Sequence, residues 1–120
     1  MSTMKLSRSD IENYIKTLLL KYHAEYAILF GSYARGEESN ESDIDVVVVG
    51  GESFRAKDIF AFGEELRQLT QKNVDAFEIR EINKNTLFYD NIMREGVRIA
   101  WRGQIRKGSR RLYLFLVTNQ

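Results

Sequence analysis

Gly31-Ser32-Tyr33-Ala34-Arg35-Gly36 and, six residues on, Ser42-Asp43-Ile44-Asp45-Val46 are the two pieces of sequence that decide the reading of this chain. The first follows Tyr26-Ala-Ile-Leu-Phe30, short, apolar and ended by a glycine, which reads as a buried strand. The second opens Ile44–Val49, β-branched apart from Asp45 and stopped by Gly50-Gly51, the strongest strand signal in the sequence. Between them the polar, Glu/Ser/Asn-rich segment reads as a loop with room for one helical turn.

Outward from this pair the pattern alternates. Upstream, Ser9-x-x-Glu12 reads as a capping box. Ile11, Tyr14, Ile15, Leu18, Leu19 and Tyr22 then keep the spacing of a one-sided helix. Downstream, 55–71 is interrupted only by Gly63 and sets Ile59, Phe62, Leu66 and Leu69 on one face, so a second long helix is expected. Val74–Ile79 reads as a third strand. Asn83 or Asn85 is expected to cap a helix through Leu87, Phe88, Ile92 and Met93 that ends at Gly96, and Val97–Trp101 reads as a last strand. The expected fold is α/β (α+β), a small mixed sheet flanked by helices.

Composition narrows the chemistry. The 120 residues hold 43% hydrophobic and 29% charged side chains, which suits one packed domain. There is no cysteine, which excludes disulfides, zinc–thiolate sites, iron–sulfur clusters and thiol catalysis, and there is one histidine, His23, too few for a multi-histidine metal site. No run of about 18 apolar residues suggests a membrane span, and Met1–Asp10 has no apolar core of a signal peptide, so a cytoplasmic protein is expected. Five of the 18 basic residues fall in 102–120 with no acid, leaving 13 basic against 17 acidic groups in 1–101. A domain over 1–101 and a basic, apolar extension over 102–120 follow. The extension reads as an added strand, a partner-binding segment, a nucleic-acid contact or a disordered tail. Without interleaved aromatics its basic groups argue poorly for nucleic acid.

Asp43 and Asp45 are two residues apart on a strand, so they project from one face about 6.6–7 Å apart. Like charges at that range call for a cation between them, and a hard divalent ion with oxygen ligands is the natural one. A turn cap followed by a solvated strand residue accounts for the same pattern. The Gly31-Ser32 bend exposes backbone amides and a hydroxyl that suit phosphate, and Arg35 adds a charged donor. No lysine follows as in a P-loop. The helix over 55–71 makes a crossover between strands 44–49 and 74–79, so these run parallel and start at one edge. That brings Asp75 beside Asp43 and Asp45, although an exposed strand start explains Asp75 as well. Three carboxylates and a phosphate bend are the parts of two-metal nucleotidyl transfer.

Gly31-Ser32-x-Ala34-Arg35-Gly36 with Ser42-Asp43-Ile44-Asp45-Val46 resembles the signature of the DNA polymerase β nucleotidyltransferase superfamily. More narrowly, it is similar to the minimal nucleotidyltransferases (MNT) of prokaryotes, antitoxin partners of HEPN-domain toxins. The resemblance extends over about residues 5–101. It implies that Gly31 and Ser32 bind the triphosphate, and that Asp43 and Asp45, with Asp75 by position, hold two Mg²⁺ ions. It implies ATP as donor and a tyrosine hydroxyl of a small all-helical HEPN toxin as acceptor. Exposed apolar surface on the last helix (Leu87, Phe88, Tyr89, Ile92, Met93) is the expected partner contact, although core packing accounts for part of it. A homo-oligomer is left open. The competing function is a module that neutralises its partner by occlusion, with the site idle. Transfer to RNA ends or to a small-molecule hydroxyl is the weaker third, because no acceptor-binding domain is present.

Overall fold

The computed structural model describes residues 6–100. The expectations for 102–120 and for Trp101 lie outside the described residues. The first helix, α1 (Arg8–Lys21), is followed by β1 (Tyr26–Phe30) and a single helical turn α2 (Ser32–Arg35). Then come β2 (Ile44–Val49), α3 (Ala56–Thr70), β3 (Val74–Glu78), a 3-10 turn (Ile79–Glu81), α4 (Leu87–Glu95) and β4 (Val97–Ile99). The sheet runs β3-β2-β1-β4. β1 is antiparallel to β2 and β4, and β2 is parallel to β3, as an α3 crossover requires. The expected mixed sheet with flanking helices is the fold observed.

Strand periodicity divides the side chains between two unequal faces. Ala27, Leu29, Val46, Val48 and Ile99 point to the face covered by α1 and α3, where they meet Ile11, Ile15, Leu18, Leu19, Phe62 and Leu66 in the main core. The other face carries Ile28 and Val47 under Ile82 and Ile92, with Tyr26, Phe30, Phe77, Ile79 and Tyr89 only partly buried. One face is thus sealed by two long helices. The other is roofed by one short helix and remains accessible.

Several local expectations are corrected. The capping box of α1 is Ser7 with Asp10, not Ser9 with Glu12: Asp10 N–H donates to Ser7 Oγ at 3.1 Å and Ser7 N–H to Asp10 Oδ2 at 3.0 Å. Glu12 pairs with Arg8 at 2.9 Å instead. Thr86 caps α4 through the N–H of Tyr89, while Asn83 and Asn85 build the preceding turn. Leu69 is 43% exposed and drops off the buried face of α3. Gly96 ends α4 with φ −70° rather than in the left-handed region. It is needed for closeness, because a Cβ there would collide with Ile28 and the carbonyl of Ile92. The last strand is shorter than expected, ending at Ile99.

Candidate active site

The end of β1 and the starts of β2 and β3 lie at one edge of the sheet. Phe30 pairs with Asp45, and Asp45 with Asp75. Asp45 and Asp75 therefore stand directly opposite each other on adjacent parallel strands, side chains on the accessible face. Asp43 precedes Asp45 by one strand repeat and is exposed. It acts on Asp45 through its charge. Among the described residues no three His, Cys, Asp or Glu side chains are gathered into a group able to hold a metal. The structure brings Asp45 and Asp75 into contact and leaves Asp43 at the rim.

The electrostatics of the pair are unbalanced. Burial, the charge of Asp75, a carboxyl–carboxyl hydrogen bond with Asp75 and the charge of Asp43 push Asp45 up to about 6, against the opposing pull of Arg35. A carboxyl in that state holds a proton where a cation would be better placed. The donor set is oxygen only, and Mg²⁺ ordinarily takes one or two carboxylates, water and substrate phosphates rather than a closed protein cage. The residues present fit such an ion, with Asp45 and Asp75 as the nearest ligands and Asp43 within electrostatic reach.

Gly31 makes this edge possible. Its φ of 74° and ψ of −152° suit glycine, and a Cβ would overlap Asp45 Oδ2. The bend turns directly into α2, which Gly36 closes in the left-handed conformation at φ 72°. Tyr33, 1% exposed, anchors the turn in the main core. Ser32 is half-buried at the turn's first position, where backbone amides lack partners within the helix. One turn is too short to carry a full helix dipole, so the bend offers amides and a hydroxyl rather than a strong field. Arg35 is exposed and paired with Glu37 at 2.9 Å and, more loosely, with Glu95 at 3.9 Å.

Two features escaped the reading of the sequence. Lys72, in the α3–β3 turn, donates to the carbonyls of Asn40 at 2.8 Å and Ser42 at 3.4 Å. It also lies 5.8 Å from the Tyr33 ring centroid. This lysine fastens the loop that delivers Asp43 and Asp45. No residue type marks it, because its partners are carbonyls. The second is a triangle of Phe30, Phe77 and Phe88 beside the acids. Phe30 and Phe77 are legible as strand residues, but their meeting with Phe88 requires the docked α4. His23 is exposed in the α1–β1 turn, at the end of β1 away from Asp45. No helix among the described residues is long and apolar enough to cross a membrane.

A glycine bend and an acidic pair lie at one sheet edge, the arrangement that a site of the nucleotidyltransferase class would require. The family profile described as Polymerase beta, Nucleotidyltransferase matches residues 12–104. MJ0435 of Methanocaldococcus jannaschii, named a putative protein adenylyltransferase, is 36% identical over 89 residues, which cover 74% of this chain and 94% of that protein. The fold matches a toxin–antitoxin crystallised with AMP-PNP at a TM-score of 0.66 and 19% identity, over 90% of this chain and 85% of that one. It also matches a complex of tri-AMPylated Shewanella oneidensis HEPN toxin with MNT antitoxin at a TM-score of 0.61 and 18% identity, over 93% and 85% of the two chains. The chain belongs to the polymerase β nucleotidyltransferase family and is a nucleotidyltransferase.

Proposed function

We propose that this protein transfers AMP from ATP to a tyrosine hydroxyl of a HEPN-type helical toxin in the cytoplasm, and so acts as an antitoxin. The register opposition of Asp45 and Asp75 beside the Gly31 bend carries this reading. Gly31 and Ser32 take the triphosphate through backbone and hydroxyl, and Arg35 adds charge. Asp43, Asp45 and Asp75 hold Mg²⁺, which when bound neutralises charge on the triphosphate and lowers the pKa of the attacking hydroxyl. The hydroxyl oxygen forms a bond to the α-phosphorus while the α–β bridging bond breaks. Pyrophosphate departs with the electron pair, and Asp75 accepts the hydroxyl proton in this reading. MJ0435 supports transfer to a protein by its name, and the AMPylated toxin complex supports the partner class.

The test is incubation with α-labelled ATP, Mg²⁺ and a HEPN-type helical protein. Label on the partner, lost in Asp43→Ala and Asp45→Ala, supports the reading. Neutralisation of the partner that survives both substitutions overturns it in favour of occlusion.

A further inference from the structure

Phe30, Phe77 and Phe88 close a triangle on the accessible face, with ring centroids 6.4, 5.7 and 5.9 Å apart. Phe88 meets the other two edge-on, at 79° and 76°. Two of the three rings are tied by backbone to the acids. Phe30 is the register partner of Asp45, and Phe77 follows Asp75 by two residues on the same side of β3. Rings and carboxylates therefore form one continuous strip. Packing alone explains Phe30 and Phe77, which lie partly buried against Ile28 and Val47. It does not explain why Phe88 remains 43% exposed, or why Leu87 beside it in sequence is 80% exposed.

We infer that this triangle seats the aromatic ring of the acceptor residue, with Phe88 as its exposed wall. The inference rests on the transfer reading above and adds the part of the site that selects a phenol. A phosphoryl-transfer centre grips only the attacking oxygen and cannot by itself distinguish tyrosine from serine. An aromatic floor one strand repeat, about 6.6–7 Å, from Asp75 supports a ring while its hydroxyl reaches the acid. Edge-to-face contacts with such a floor are favourable beyond simple burial. The strip crosses β1, β2 and β3, and Phe77 shares its strand with Asp75, the acid proposed to take the acceptor proton. It continues into the exposed start of α4, which suits a ring borne on a protein segment rather than a lone base.

The experiment compares wild type, Phe88→Ala and Phe88→Tyr in labelled transfer to a HEPN-type helical partner. The concentrations of partner and of ATP are varied separately, and binding of ATP with Mg²⁺ is measured directly. Phe88→Ala is expected to raise KM for the partner roughly tenfold or more in a protein that still folds and binds ATP as wild type does, with Phe88→Tyr restoring KM. Unchanged partner KM in Phe88→Ala overturns the inference, leaving the triangle as packing. Weakened ATP binding with unchanged partner KM also overturns it, and assigns the rings to the nucleobase. Absence of transfer by the wild type defeats the transfer reading and this inference together, whereas equal transfer by wild type and Phe88→Ala defeats this inference alone.

Discussion

Asp45 and Asp75 face each other across the parallel β2–β3 ladder, and Asp45 is pushed up to about 6 by burial and by that neighbour. A like-charged pair at matched register works against folding unless a cation or proton lies between the two. The site is thus built at the expense of the fold that carries it.

Asp45→Asn is expected to stabilise the metal-free protein at pH 7.5 while abolishing transfer. The carboxyl titrates near 6 when folded and near 3.8 when unfolded. Below both values it is protonated in either state and costs nothing. Between them the unfolded chain loses its proton first, so stability falls as pH rises towards 6 and the penalty is complete above it. Because Asp45 is only partly buried, solvent screening reduces the gain from removing that charge to about 1 kcal/mol. Thermal melts in EDTA check this: the variant should melt about 4–8 °C higher at pH 7.5 and equally at pH 3.5. A variant that melts lower at pH 7.5 refutes it.

Metal binding should follow the same proton. A carboxylate must be ionised to accept a cation, so protons and Mg²⁺ compete at Asp45. Apparent Mg²⁺ affinity is expected to be flat above about pH 7 and to fall by about tenfold per pH unit below 6. Titrating transfer against Mg²⁺ at several pH values measures it. The midpoint of the pH profile should move to lower pH as Mg²⁺ is raised, and a fixed midpoint argues against competition. Chelation should stop transfer altogether.

Gly31→Ala tests the close approach. The side chain would be forced into a conformation that costs about 1–3 kcal/mol and would run into Asp45 Oδ2 as well. Gly36→Ala meets no atom within 4 Å and bears only the left-handed φ. Gly31→Ala should therefore destabilise the protein more than Gly36→Ala. Adding Asp45→Ala should recover part of the loss, seen as a favourable coupling in a double-mutant cycle of urea unfolding. Additive losses would show that the two residues do not meet.

The sequence made the strands legible because Ile44–Val49 and Tyr26–Phe30 are bounded by glycines and rich in β-formers. Their arrangement was legible because a helix between strands forces a parallel pair, which alone brings Asp75 to the edge of Asp45. Caps were less so. Ser7-x-x-Asp10 and Ser9-x-x-Glu12 satisfy the same pattern, and only the backbone selects the first. The contact of Asp45 with Asp75, where Asp43 acts on Asp45 only through its charge, depends on register, which no motif specifies. Phe88 meets Phe30 and Phe77 from α4, and Lys72 meets Asn40 and Ser42 from the α3–β3 turn, through docking that local patterns do not encode.

Lys72→Met separates holding a loop from touching substrate. Lys72 bonds the carbonyls of Asn40 and Ser42, and Ser39 and Ser42 bond each other, Ser39 N–H to Ser42 Oγ at 2.8 Å and Ser42 N–H to Ser39 O at 3.1 Å. The loop is thus fastened once internally and once to the turn before β3. Methionine keeps most of the stem's packing but removes the charged donor, a loss of about 1–3 kcal/mol in the strength of hydrogen bonds to a charged group. Because the amine is partly exposed, the lower end of that range is expected for global stability. The local effect should be larger. Amide exchange at Ser39–Asp43 should quicken while that of β2 beyond Val46 stays slow, since the strand is held by its ladders to β1 and β3. Transfer should fall through kcat, with KM for ATP little changed, because the loop positions Asp43 and Asp45 without itself gripping the donor. Lys72→Arg should restore much of both. If exchange in the loop is unaltered while KM for ATP rises, Lys72 contacts the nucleotide directly and its role is binding rather than positioning.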